Sequence, residues 1–173
     1  MGLIELLMAI TILNIGILAI IAAFNSGMLT LRRSSMVATA SVLADQQMEL
    51  YRALTWDQIS LDSTSLASVD NNYKCVSLLG ASCPNSTTNL VQATCSPVTN
   101  QCNPSRTVTG PDRHLYRVDT YILNDHPVAA SRTVRKVTII VRDGRKLSKV
   151  LARETSTFDC STALPYSTGC PTS

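Results

Sequence analysis

The sequence predicts an α+β fold in which one long N-terminal helix, apolar along its first half, packs its second half on an antiparallel β-sheet. Three observations carry this expectation. Residues 6–31 hold no charged side chain, and all 15 Lys and Arg lie at Arg32 or later. Between residues 29 and 54 apolar side chains return at helical spacing, and beyond residue 115 short β-branched runs meet at an Asp-Gly turn. The 45% hydrophobic content of the 173-residue chain therefore conceals two compositions. That unevenness excludes a uniform cytosolic globule, and a single apolar segment excludes a multi-span membrane protein.

The first element covers residues 1–28. Within it, residues 6–24 are apolar except for Thr11, Asn14 and Gly16. As a helix this run is about 29 Å long, the thickness of a bilayer's hydrocarbon core. A cleaved signal peptide fits poorly. No basic residue precedes the run, the run exceeds an apolar signal core of about 7–15 residues, and no small-x-small site closes it. The segment is expected to be retained, with Arg32 and Arg33 as a stop at a membrane face.

Glu5 is the most informative single residue. A carboxylate inside an apolar helix is costly in a membrane unless it reaches headgroups, gains a proton or finds a cationic partner. Self-pairing with the α-amine of the same chain is awkward along one helix, and the amine of a neighbouring copy is better placed. The stretch Gly2-Leu3-Ile4-Glu5-Leu6-Leu7-Met8-Ala9-Ile10-Thr11-Ile12-Leu13 resembles the mature N-terminus of the type IV pilin and type II secretion pseudopilin family. The match covers about the first 55 residues. It implies a leader ending in Gly removed before Met1 by a prepilin peptidase, N-methylation of Met1, and neutralisation of a neighbour's N-terminus by Glu5 during assembly. Met1 stands where the family more often has Phe, and Ala22 where many members carry a helix-bending Pro. Without that Pro, the helix-weakening residues are Asn14 and Gly16, so any melting in a filament is expected to centre on residues 14–20.

The second element, residues 29–55, continues the helix in amphipathic form. Met36, Val37, Ala40, Leu43, Ala44, Leu50, Tyr51 and Leu54 share one face, with Ser41, Asp45, Glu49 and Arg52 opposite. This stripe is expected to pack on the sheet, and Phe24, Tyr51 and Trp56 read as packing residues rather than an electron path.

Residues 56–112 read as a long connection holding four prolines, the Asp70-Asn71-Asn72 turn signal and four cysteines. The cysteines argue for stapled order. Neither the Cys75/Cys83 nor the Cys95/Cys102 spacing makes a Cys-x-x-Cys redox or zinc knuckle. In an exported chain, six cysteines read as three disulfides. The layout favours Cys160 with Cys170 and leaves the pairing among Cys75, Cys83, Cys95 and Cys102 open.

Residues 113–158 carry the strand signals. The runs 115–124, 133–141 and 146–157 alternate or are β-branched, and Asp143-Gly144 turns the last pair into a hairpin. Three antiparallel strands are expected, forming with the helix the α+β head that the resemblance implies. Residues 159–173 then resemble the disulfide-bonded C-terminal loop common in pilins.

Other signals are weaker. Arg132, Arg135, Lys136, Arg142, Arg145, Lys146, Lys149 and Arg153 surround the single acid Asp143. They read either as a surface for DNA phosphates, or as a solvated strand face or partners for acids of neighbouring subunits; the net charge of +3 and the lack of interleaved aromatics favour the latter reading. His114 near Asp112 and His126 beside Asp125 lack an attached nucleophile, so no enzyme activity, cofactor or metal is expected. Some pseudopilins hold calcium on clustered C-terminal acids, but Asp159 is the only acid after Glu154. Asn85-Ser86-Thr87 matches a glycosylation sequon.

The functional expectation is a structural subunit, a major pilin, of a bacterial type IV pilus serving adhesion or motility. It would wait in the inner membrane and then join identical subunits in an extracellular filament, handled by the pilus assembly machinery. A minor pilin or secretion pseudopilin is the nearest alternative, and a signal-anchored binding protein that never polymerises is the alternative of another class.

Overall fold

The structure, a computed structural model, describes residues 2–76, 87–125 and 133–160. Its first element is a 50-residue helix, α1 (Leu3–Arg52). No proline interrupts it, and Thr11 and Thr30 return their hydroxyls to the carbonyls of Met8 and Ser26. The two threonine hydroxyls are thereby satisfied within the helix. The chain divides into two compact units at Val37/Ala38. In the first, every described residue up to Leu31 is exposed in the single chain; the second holds the core.

The helical stripe of the second unit is buried at Ala40, Leu43, Ala44, Gln47, Met48 and Tyr51. Most of these lie within or one step from the expected face. Gln47 is the polar member, and it is satisfied by Asn100 O at 2.8 Å and by Arg106 Nε at 3.2 Å. Leu50, assigned to the stripe from the sequence, is only half-buried.

After a 3₁₀ turn (Trp56–Gln58) come β1 (Leu61–Asp62), α2 (Ser63–Ala67), α3 (Asn71–Lys74) and β2 (Gln92–Ala93). Asp62 caps α2 by accepting from Ser65 N–H at 2.7 Å, and Asp70 caps α3 by accepting from Tyr73 N–H at 3.0 Å. The Asp70-Asn71-Asn72 signal thus opens a helical turn. β1 and β2 pair in parallel.

The main sheet is antiparallel, in the order β3 (Ser105–Thr109), β4 (Leu115–Asp125), β5 (Val134–Asp143), β6 (Lys146–Asp159). The three strands expected from sequence are β4 to β6. The fourth, β3, forms inside the stretch read as a connection and pairs Ser105 to Thr109 against Asp119 to Leu115. At the β5/β6 hairpin Asp143 lies opposite Lys146, so Gly144 and Arg145 form the turn. A Cβ on Gly144 would stand 2.7 Å from Leu115 O, and the Gly144 N–H donates to that same carbonyl at 2.8 Å. The turn therefore requires glycine for this close approach.

Both faces of β4 are buried from Tyr116 to Tyr121. Tyr116 meets Thr39 of α1, while on the opposite face Arg117 meets Asp70 and the Tyr121 ring stacks on Tyr73 at 4.4 Å. The connection thus covers the sheet face that α1 leaves open.

Candidate functional site

The apolar part of α1 is the molecule's most distinctive surface. Leu3, Leu6, Ile12, Ile15, Leu18, Phe24, Leu29 and Leu31 are each more than 60% exposed. Successive positions are apolar, so the surface wraps the helix on all sides, and α1 is long and apolar enough to cross a membrane. A shallow apolar groove of about 440 Å³ lies along Ile20, Ala23, Phe24, Gly27, Met28 and Leu31. Ala23 and Gly27, four residues apart, form its low floor, the arrangement that lets another helix approach closely.

Glu5 lies in the first turn of α1, where unpaired backbone N–H groups favour a carboxylate. Met1, named with it as an assembly residue, lies outside the described residues. α1 runs unbroken through Asn14 and Gly16 in the single chain, and a Cβ on Gly16 would meet nothing within 4 Å. The expected melting is a property of the assembled filament.

In the second unit the basic residues of β5 and β6 are divided between internal and exposed roles. Arg135 lies 4.0 Å over the Trp56 ring and donates to the carbonyls of Trp56 and Ile59. Arg142 is buried and donates to Asp119 at 2.8 Å and to Leu147 O at 2.9 Å. Lys136 pairs with Asp125 at 3.7 Å and Lys149 with Asp143 at 3.9 Å. Arg145, Lys146 and Arg153 are exposed, and Arg132 lies outside the described residues. A phosphate-binding stripe needs its cations free, and this one has four committed elsewhere.

Sequence reasoning missed the buried ionic cluster. Asp119 is fully buried; its Oδ1 accepts from Arg117 Nε at 2.8 Å and Ser105 Oγ at 2.7 Å, and its Oδ2 accepts from Arg142 Nε. Arg117 also grips Asp70 with two bonds of 2.7 and 2.6 Å. That grip holds the Asp70 carboxyl well below the usual carboxylate range. In the β4/β5 register Arg117 lies directly opposite Arg142. Two like charges there are unfavourable without an acid between them, and Asp119 supplies it. The available sequence signal was Arg117 and Asp119 on one strand face.

The His114 ring donates from Nε2 to the Asp143 carboxylate at 2.9 Å, while the Asp112 carboxylate accepts the His114 backbone N–H at 3.1 Å and the Tyr116 hydroxyl. His126 and Asn85 lie outside the described residues. Among the described residues no group of three or more His, Cys, Asp or Glu is placed to hold a metal ion. Cys75 and Cys160 are disulfide-bonded, with the expected participants Cys83 and Cys170 outside the described residues, while Cys95 and Cys102 carry free thiols. The expectation that all six cysteines are bridged is thus met at Cys75 and Cys160 and not at Cys95 and Cys102 as they stand here.

No protein-family model matches the chain, and no curated protein and no solved structure matches it.

Proposed function

We propose that the chain is a filament-forming subunit of the type IV pilin class, anchored by the apolar part of α1 in a bacterial inner membrane and then assembled into an extracellular filament. The observation that carries the proposal is the all-round exposure of apolar side chains along residues 3–31. Soluble monomers rarely leave so continuous an apolar surface in water. Each such side chain contributes about 1.5–3 kcal/mol when it is removed from water, so lipid or other copies must cover it. A uniform apolar surface suits lipid first and neighbouring helices afterwards. The low floor at Ala23 and Gly27 supports close helix packing.

Glu5 is the register-setting residue in this reading. Its carboxylate, at the start of a helix whose next charge is Arg32, meets the N-terminal cation that the resemblance implies for a neighbouring subunit. An unpaired charge in that apolar core costs several kcal/mol, more than a misaligned packing recovers. The experiment is filament yield from cells producing Glu5→Gln and Glu5→Ala chains. Both are expected to stay in the membrane and to give few or no filaments; wild-type yield would overturn the register role. In sheared surface material this chain is expected to be the dominant protein, as befits a major pilin, whereas trace amounts would mark a minor pilin or pseudopilin.

A further inference from the structure

The two free thiols lie together in the fold. The Cys95 N–H donates to Asp62 Oδ1 at 3.1 Å, and the Asp62 N–H donates to Cys102 O at 2.7 Å, so both cysteines are tied to the same buried residue. The two thiols lie near enough for Cys102 to influence the ionisation of Cys95. The loop between them is also the one that holds α1. Asn100 O accepts from Gln47 and Gln101 O from Tyr51, the buried polar pair of the helical stripe. The chain contains other oxidised cysteines, Cys75 and Cys160.

We propose that Cys95 and Cys102 are a disulfide-forming pair whose closure cinches residues 96–101 against α1. The thiolate of Cys95, the more exposed of the two, attacks the disulfide of an oxidant and forms a mixed disulfide, releasing one oxidant thiol. Cys102, as thiolate, attacks the Cys95 sulfur and releases the second. Two cysteine thiols lose two protons and two electrons in all, and the oxidant's disulfide is reduced to a dithiol. Burial, with contributions from Cys102 and Asp62, pushes the Cys95 thiol up to about 12. Thiolate is therefore scarce in the folded chain, and the pair closes by catalysed exchange or before the loop docks rather than by slow air oxidation. The assignment separates Cys95 and Cys102 from Cys75 and Cys83, whose pairing spacing left open. It does not depend on filament formation.

The test is a disulfide map of the full chain, extracted in detergent from cells with its thiols blocked at lysis. Trypsin leaves all four cysteines of the connection on one peptide, between Lys74 and Arg106, and cleavage after Leu90 separates Cys75 and Cys83 from Cys95 and Cys102. The expected fragment, residues 91–106, is unblocked and two hydrogens lighter than its reduced form. A fragment blocked at both cysteines, or joined to the one bearing Cys75 and Cys83, would overturn the proposal. A second measurement reads the consequence. In the Cys95→Ser, Cys102→Ser chain, hydrogen exchange at the amides of residues 102 and 103, which bond to Thr99 O, is expected to speed up by about 10- to 100-fold, the entropy of an eight-residue closed loop. Unchanged exchange would remove the cinching role.

Discussion

Replacing Asp119 by Asn separates a buried charge from its shape. In the native structure the carboxylate is fully buried and receives Arg117 and Arg142 on different oxygens, each at 2.8 Å. An Asn offers one acceptor oxygen and turns an NH₂ toward one guanidinium, donor against donor. Removing one partner of a buried ion pair costs about 3–5 kcal/mol, because the remaining charge is left desolvated. Asp70→Asn makes the control, since Asp70 binds the same Arg117 but its side chain is 42% exposed. Water replaces what is lost there, Asn still caps α3, and the expected cost is about 1 kcal/mol. Against a typical stability of about 5–15 kcal/mol the first change is severe and the second mild. The assay is urea unfolding of the full chain in detergent, followed by the fluorescence of Trp56, the only tryptophan. Asp119→Asn within about 0.5 kcal/mol of wild type, or Asp70→Asn costing as much as Asp119→Asn, would refute the burial argument.

The same unfolding assay checks the other expectations. Because Arg117 holds the Asp70 carboxyl below its ordinary 3.8, Asp70 contributes stability that is complete above that pH and lost as the pH falls through the lowered value; Asp70→Asn should flatten this part of the acid limb. Glu154 behaves with the opposite sign. Burial and then the neighbouring Asp45 push its carboxyl above the ordinary 4.5, so stability falls as pH rises past that value, and Glu154→Gln should raise the urea midpoint at pH 7. A Cβ on Gly110 would lie 2.6 Å from both Asp112 Oδ1 and Tyr116 Cε2, so Gly110→Ala should cost about 1–3 kcal/mol. Arg135→Ala, which uncovers Trp56 and frees two carbonyls, should cost about 1–2 kcal/mol and change the Trp56 emission.

Elements dominated by one period were legible in the sequence. The 3.6-residue return of Ala40, Leu43, Ala44 and Tyr51 marked the packed half of α1, and the β-branched alternation with Asp143-Gly144 marked β4 to β6. β3 was not legible: its Ser-Arg-Thr-Val-Thr run offers one large apolar side chain, and it is a strand because β4 supplies its hydrogen bonds. The short helices α2 and α3 depend on caps whose carboxylates are also used elsewhere, by Cys95 and by Arg117. A run of basic residues looked like a surface because sequence spacing does not reveal that the connection folds back over the second face of the sheet. That cover turns Arg142 into a core residue. Glu5 and the apolar run were plain in the sequence because their meaning lies in composition rather than in tertiary contact.

The most direct test of the assembly account is a helical reconstruction from electron micrographs of filaments sheared from cells producing this chain, with the subunit confirmed by mass spectrometry. The account predicts filaments whose core is built from residues 3–31 of neighbouring copies, with each Glu5 side chain against the N-terminus of another subunit. Sheared material without filaments, together with a chain that stays a monomer in detergent, would contradict it.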